Sequence, residues 1–171
     1  MNLILSDRHL NVPELNRPDT RWIDLSRQNI AGCVGCFGCW TKTPGRCVIR
    51  DDAVRIYPLI AESRQVLYVS RVRYGGYDTI MKTMLERAIP VQQAFIRLLH
   101  GETHHAQRSV RPKRAVILGY GADTPREQEL FRRLVARNAE NMSFESWRVV
   151  FAAEQDLEQQ VRTEVLAWEK S

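Results

Sequence analysis

The chain has 171 residues, 44% of them hydrophobic: enough for one well-buried core and too few for two ordinary domains, so a single domain over residues 1–171 is expected. No apolar run approaches the roughly 18 to 20 residues that a bilayer span needs, and the start lacks the basic, apolar and small-residue segments of a secretory leader, so the expected location is the cytoplasm, away from membranes. A formal net charge of +5 favours acidic partners such as phosphorylated cofactors. The basic residues are spread along the chain and are not interleaved with aromatics, which argues against nucleic acid.

Short apolar runs alternate with stretches of helical period, the pattern of a parallel sheet with helices on both faces. The strands expected in chain order are Leu3 to Leu5, Trp22 to Leu25, Val66 to Val69, Ala115 to Leu118 and Trp147 to Phe151. Asp51 or Asp52 is a fitting N-cap for a helix carrying Val54, Ile56, Leu59 and Ile60. A long central helix is read from Ile80, Met84, Leu85, Ala88, Phe95, Leu98 and Leu99, interrupted at Pro90. The segment from His100 to Arg114 reads as a polar, basic loop. Leu130, Phe131, Leu134 and Val135 mark the next helix, and Leu157, Val161, Val165 and Trp168 the last. The whole fits an α/β, flavodoxin-like doubly wound plan with a five-stranded parallel sheet. Only about sixteen residues, divided by Pro13 and Pro18, separate the first two strands, so the first helix is expected to be shortened or missing.

In such sheets ligands sit beyond the carboxyl ends of the strands, and helix N-termini there bind phosphate. Strand one is followed by Ser6, Asp7, Arg8 and His9, with no glycine to let amides close around a phosphate. No Gly-x-Gly-x-x-Gly, Walker loop or nucleophile elbow is present.

All four cysteines fall within fifteen positions: Cys33, Cys36 and Cys39 at two-residue intervals, then Cys47 after seven more residues. In a cytosolic chain this density points to metal or redox chemistry rather than a disulfide framework. Thiolates so spaced on a compact loop, with Gly32, Gly35 and Gly38 letting backbone N–H groups approach the sulfurs, suit an iron–sulfur cluster. Zinc, which usually takes two separated cysteine pairs, and thiols without metal, packed as small hydrophobes, are the other two readings.

The run from Gly32 to Trp40, then Lys42 to Ile49 and Asp51-Asp52, resembles the iron–sulfur flavoprotein branch of the NAD(P)H-dependent FMN reductases. Ser70 to Arg87, with Tyr74-Gly75-Gly76, Lys82 and Glu86-Arg87, is similar to the family's third-strand loop and following helix, and Gly101 to His105 and Gly119-Tyr120-Gly121 fit its pattern too. The resemblance implies a flavodoxin-like fold, FMN at the switch point, electrons from NAD(P)H or a reduced carrier such as ferredoxin, and a homo-oligomer, dimer or tetramer, with each flavin near a neighbouring subunit. It departs at the first loop, where the family's Gly-Ser-Pro-Arg-like cradle and full helix are replaced by Ser6-Asp7-Arg8, and at the third loop, where Arg71 stands for a proline.

The expected activity is therefore an FMN-dependent oxidoreductase, with a [4Fe–4S] cluster on Cys33, Cys36, Cys39 and Cys47 and a flavin rim of Arg8, Arg71, Tyr74, Gly75, Gly119, Tyr120 and Gly121. The cofactor would carry the chemistry, so no side chain is named as acid or base. Arg71 and Arg73 suit phosphate or ring contacts, and equally suit solvated positions. His104-His105 is weighed as a metal or proton-transfer pair against two ordinary loop histidines. Two competing readings are a degenerate binding or structural subunit without a working flavin site and a zinc-stabilised interaction module.

Overall fold

Side chains that alternate along β1 (Asn2–Ser6) feed both faces of a sheet: Leu3 and Leu5 enter one core and Ile4 the other. A computed structural model describes residues 1–168 and places β1 inside a parallel sheet of order β2-β1-β3-β7-β8. Its other strands are β2 (Thr20–Asp24), β3 (Gln65–Arg73), β7 (Lys113–Tyr120) and β8 (Phe144–Ala152). Each of the five strands read from the sequence is present, although Leu25 falls just past β2 in a 3-10 turn. Register is carried across the sheet through Ile4, which lies opposite Trp22 on one side and Leu67 on the other, with Leu67 in turn opposite Val116.

One face is covered by α2 (Ala53–Glu62), α3 (Thr79–Glu86) and α4 (Pro125–Asn141), whose Ile56, Ile60, Met81, Met84, Phe131 and Val135 pack on Leu3, Leu5, Val66 and Ile117. The opposite face is covered by α5 (Leu157–Ala167) through Leu157, Val161 and Val165. No helix joins β1 to β2, as expected. A single 3-10 turn at Pro13–Asn16 lies there, and Leu10, Val12 and Leu15 fill the space beside α5. Asp52 precedes α2, but the Asp51 carboxylate accepts from the first-turn amide of Ala53.

Two expectations are corrected. The long helix ends at Glu86. After a 3-10 turn at Ile89–Val91 the chain forms β5 (Gln92–Leu99), so Phe95, Leu98 and Leu99 are strand residues. The polar loop from His100 to Arg114 is largely strand: β6 (Glu102–Gln107) pairs antiparallel with β5, and β7 begins at Lys113. His100 and Gly101, both at positive φ, make the two-residue turn of this hairpin, the backbone that a right-twisted strand pair favours. Pro90 supplies no N–H to continue a helix, which explains the break at that point. A short β4 (Gly76–Tyr77) folds back on the end of β3.

Candidate functional site

Two groups of chemistry-bearing residues stand out, one at the carboxyl edge of the sheet and one on the segment between β2 and α2. At the sheet edge, Asp7 follows β1 and is buried; its own amide donates to Val69 O at 3.1 Å. Its carboxylate accepts from the Arg71 backbone N–H at 2.6 Å and the Tyr120 hydroxyl at 2.8 Å. Burial pushes the Asp7 carboxyl above its ordinary range against the pull of these bonds, and burial followed by the Asp7 charge likewise raises Tyr120. The guanidinium groups of Arg8 and Arg71 stand 5.8 and 5.2 Å from the centroid of the Tyr120 ring. Both grip one carboxylate, Glu154, at 2.6 and 2.8 Å, from the turn that follows β8. Glu154 is held below the usual carboxylate range, first by its hydrogen bond from Arg8. Gly121, at positive φ, borders Arg71, and a Cβ there would lie 3.5 Å from its Cγ, in ordinary van der Waals contact.

The second group is a strap running from about residue 29 to residue 51. Gly35 and Phe37 take positive φ, which turns the chain sharply between the cysteines before the single-turn α1 (Gly38–Thr41). Cys33 and Cys36 are exposed, and Cys39 and Cys47 half-buried. Burial raises the Cys39 thiol, and the thiols of Cys47, Cys33 and Cys36 add to the effect, so the other three lie within electrostatic reach of Cys39. Among the described residues, however, no three His, Cys, Asp or Glu side chains converge as metal ligands. The Trp40 indole stacks against His105 at 4.5 Å between ring centroids and lies near Phe37 at 5.5 Å, tying α1 to the β5–β6 hairpin.

The ends of the strap are latched by one buried cation. Arg87, just past α3, has a side chain with 0% exposure. Its Nη1 donates to Ala31 O at 2.7 Å and to Asp51 Oδ2 at 2.6 Å; its Nη2 donates to Asp51 Oδ1 at 2.9 Å and to Ile49 O at 3.3 Å. The backbone N–H of Ala31 donates to the same carboxylate at 2.9 Å. Burial opposes the charge on Arg87, but Asp51 and the neighbouring Cys47 side chain outweigh it. The Cys47 N–H donates to the Tyr57 hydroxyl of α2. Two buried donors beside the cysteines find no acceptor: Arg87 Nε and Trp40 Nε1.

An iron–sulfur flavoprotein of Methanocaldococcus jannaschii is 30% identical over 77 residues, 45% of this chain and 39% of that protein. One of Archaeoglobus fulgidus is 37% identical over 68 residues, 40% of this chain and 30% of that protein. This chain is similar to the iron–sulfur flavoproteins. The match spans less than two fifths of either relative's length, and no protein-family profile matches the chain. The fold is shared with an FMN-dependent NADH-azoreductase of Bacillus anthracis solved with FMN, at TM-score 0.56 and 10% identity, covering 98% of this chain and 96% of that one. It is shared likewise with an NAD(P)H:quinone oxidoreductase of Methanothermobacter marburgensis, at TM-score 0.57 and 10% identity, covering 98% and 95%. The flavodoxin-like fold read from the strand pattern is thus the fold observed.

The rim residues chosen from the sequence separate into groups. Arg8, Arg71, Tyr120 and Gly121 come together at the sheet edge. Tyr74, 92% exposed, sits with Gly75 in the β3–β4 turn, where Gly75 packs so tightly on Leu130 that a Cβ would lie 2.5 Å away. Tyr74 instead borders a groove of about 820 Å³ between α3 and α4, with Arg73, Tyr77, Lys82 and Asn138. Gly119 serves packing, since a Cβ there would meet Val72 Cγ2 at 2.9 Å and Phe151 at 3.1 Å. His104 is buried between Glu102 and Asn141, and His105 bonds the Gln93 carbonyl and stacks on Trp40. Sequence reading missed Asp7 and Glu154 as parts of the edge and Arg87 as the latch. Asp7 stood directly after strand one and was the one with a signal. Among the described residues no helix is long and apolar enough to cross a membrane.

Proposed function

We propose that this chain is an FMN-dependent oxidoreductase that accepts electrons from NAD(P)H or a reduced protein carrier and passes them to an acceptor, with a [4Fe–4S] cluster on Cys33, Cys36, Cys39 and Cys47. The observation that carries the flavin part is the convergence of Arg8 and Arg71 on one exposed carboxylate at the carboxyl edge of the sheet. Two guanidiniums that share an anion are a side-chain substitute for the amide cradle this first loop lacks, and the fork of each suits phosphate oxygens. Glu154 marks where that anion would sit, Gly121 leaves room beside Arg71, and Asp7 fixes Tyr120 and the Arg71 backbone beneath it. Bound FMN would supply the hydride and single-electron chemistry, and these residues would position it and set its surroundings.

The cysteines fit a cluster through their donor chemistry: four thiols in one neighbourhood, and two buried N–H groups with no acceptor, such as thiolate or sulfide sulfur would provide. The likeness to iron–sulfur flavoproteins supports the same assignment. A homodimer or homotetramer in the cytoplasm completes the reading.

The test is an anaerobic visible spectrum with iron, acid-labile sulfide, zinc and FMN quantified on one sample. FMN titration should quench flavin fluorescence, and Arg71→Ala should weaken binding by roughly tenfold or more, the scale of one charge-assisted hydrogen bond. Glu154→Gln should strengthen it by removing the competing anion. A second reading is a flavin-free subunit whose strap alone is redox-active. It is favoured by the buried Asp7 carboxylate at the first loop, which repels a phosphate. A sample that stays colourless after reconstitution with FMN, iron and sulfide rejects the flavin and cluster assignments together, and one that binds iron but no FMN selects this second reading. Zinc without iron selects the zinc-stabilised module instead.

A further inference from the structure

We propose that Arg87 is the positioning residue of the cysteine centre: four of its N–H groups hold the two ends of the strap, and the fifth, Nε–H, is reserved for a sulfur of the group the cysteines bind. This rests on the cluster assignment above. A guanidinium has five N–H donors and no acceptor. Nη1 and Nη2 between them make four hydrogen bonds, to Ala31 O, Ile49 O and both oxygens of Asp51. That leaves Nε–H alone, on a side chain with 0% exposure, where water cannot serve it.

A charged donor left without a well-placed partner at such a depth is costly, so a sulfur acceptor stronger than a neutral thiol is indicated. The strap supplies the direction. Besides Asp51, the side chain that faces the guanidinium is Cys47, whose sulfur already interacts with it and whose own N–H donates to Tyr57. The bonds to Ala31 and Ile49 bracket the cysteine run on both sides, so the cation that grips the strap also interacts with its fourth thiol. A buried positive charge with a free N–H stabilises the more negative, reduced state of a sulfur-ligated centre and therefore raises its potential.

The decisive experiment uses the intact wild-type chain reconstituted with iron and sulfide, labelled with 15N at arginine Nε, and examined by pulsed electron paramagnetic resonance of the reduced cluster. We expect a resolved 15N hyperfine coupling, lost in Arg87→Lys. Where the lysine variant binds the same iron and sulfide, its cluster should be at least tenfold harder to reduce, a negative shift of about 59 mV for one electron. A loaded wild-type cluster without arginine coupling overturns the proposal whether or not the variant folds. So does a loaded Arg87→Lys with unchanged potential. A wild-type chain that takes up no iron or sulfide fails at the earlier step: it removes the cluster assignment, and the donor role falls with it.

Discussion

The carboxyl edge of the sheet and the cysteine strap are both built from charged and polar residues carried by loops, yet they end in opposite states. At the edge every strong group has a partner within the chain: Asp7 takes Tyr120 and the Arg71 amide, and Arg8 and Arg71 share Glu154. The strap is latched at its ends but left unsatisfied in its middle, with four free thiols and two buried donors without acceptors. Internal closure lets the edge stand without a ligand and makes any incoming anion compete with Glu154. An open middle makes the strap depend on something added. Substitutions in the two regions should therefore differ in sign as well as size.

The largest effect is expected at the latch. Arg87→Met leaves Asp51, 9% exposed, without its counter-charge and frees both ends of the strap. Removing one partner of a buried pair typically costs about 3–5 kcal/mol, which urea unfolding would register as a lower midpoint. A midpoint unchanged from wild type would mean that the strap is not held by this pair.

The two regions should also answer acid in opposite ways. Burial alone would raise Asp51, but the bonds from Arg87 and the Ala31 amide outweigh it and hold the carboxyl below its ordinary 3.8. Its contribution to stability is thus complete above that value and lost as pH falls through the lower folded value. Asp7 is raised by burial, so the folded chain binds its proton more tightly than the unfolded chain does. Asp7 therefore favours folding below the ordinary carboxyl value, and that stabilisation is lost as pH rises from there through its raised folded value. Carboxyl NMR titration of the two side chains, set beside urea midpoints across the acid range, would show Asp7 titrating high and Asp51 low. The reverse order would undo the contrast.

How legible these regions were from sequence depends on how local their causes are. β1, β3 and β7 were readable because each is a short apolar run buried on both faces, and the edge strands β2 and β8, though more exposed, still carry short apolar runs in Trp22-Ile23 and Val149 to Phe151. The first connection was readable because its length and prolines leave no room for a helix. Gln92 to Leu99 misled because Phe95, Leu98 and Leu99 also stand at helical spacing, and two of these, Phe95 and Leu98, are solvent-exposed on a hairpin rather than in a core. The missed signal was His100-Gly101 between two strand-length runs, a turn pair that sets a hairpin. The cysteine cluster announced itself by density. Glu154 could not, because its meaning lies in Arg8, 146 residues away. Arg87 and Asp51, 36 residues apart, were visible only as residues of a family pattern, with nothing in the sequence to show that one buries the other's charge.

An intermediate effect is expected from Tyr120→Phe. It deletes the hydroxyl that satisfies Asp7 at 2.8 Å and strips a buried carboxylate of one of its two donors. The cost should be about 1–3 kcal/mol, the penalty for a buried acceptor losing its partner, read from the urea midpoint at neutral pH.

Trp40→Phe is the matching change in the strap, and it should carry the smallest effect with the opposite sign. Trp40 Nε1 is buried without an acceptor, so in the metal-free chain the indole N–H is a liability that phenylalanine removes. Its stacking on His105 at 4.5 Å can be kept by a phenyl ring, at some loss of buried area. The metal-free variant should therefore unfold within about 1 kcal/mol of wild type and on the stable side. Once iron and sulfide are bound, the same N–H should have an acceptor, and the variant should become the less stable of the two. Comparing the pair with and without the cluster isolates that one donor. If Trp40→Phe destabilises the metal-free chain as much as Tyr120→Phe does, the strap is as closed as the sheet edge, and the unpaired donors no longer mark a binding centre.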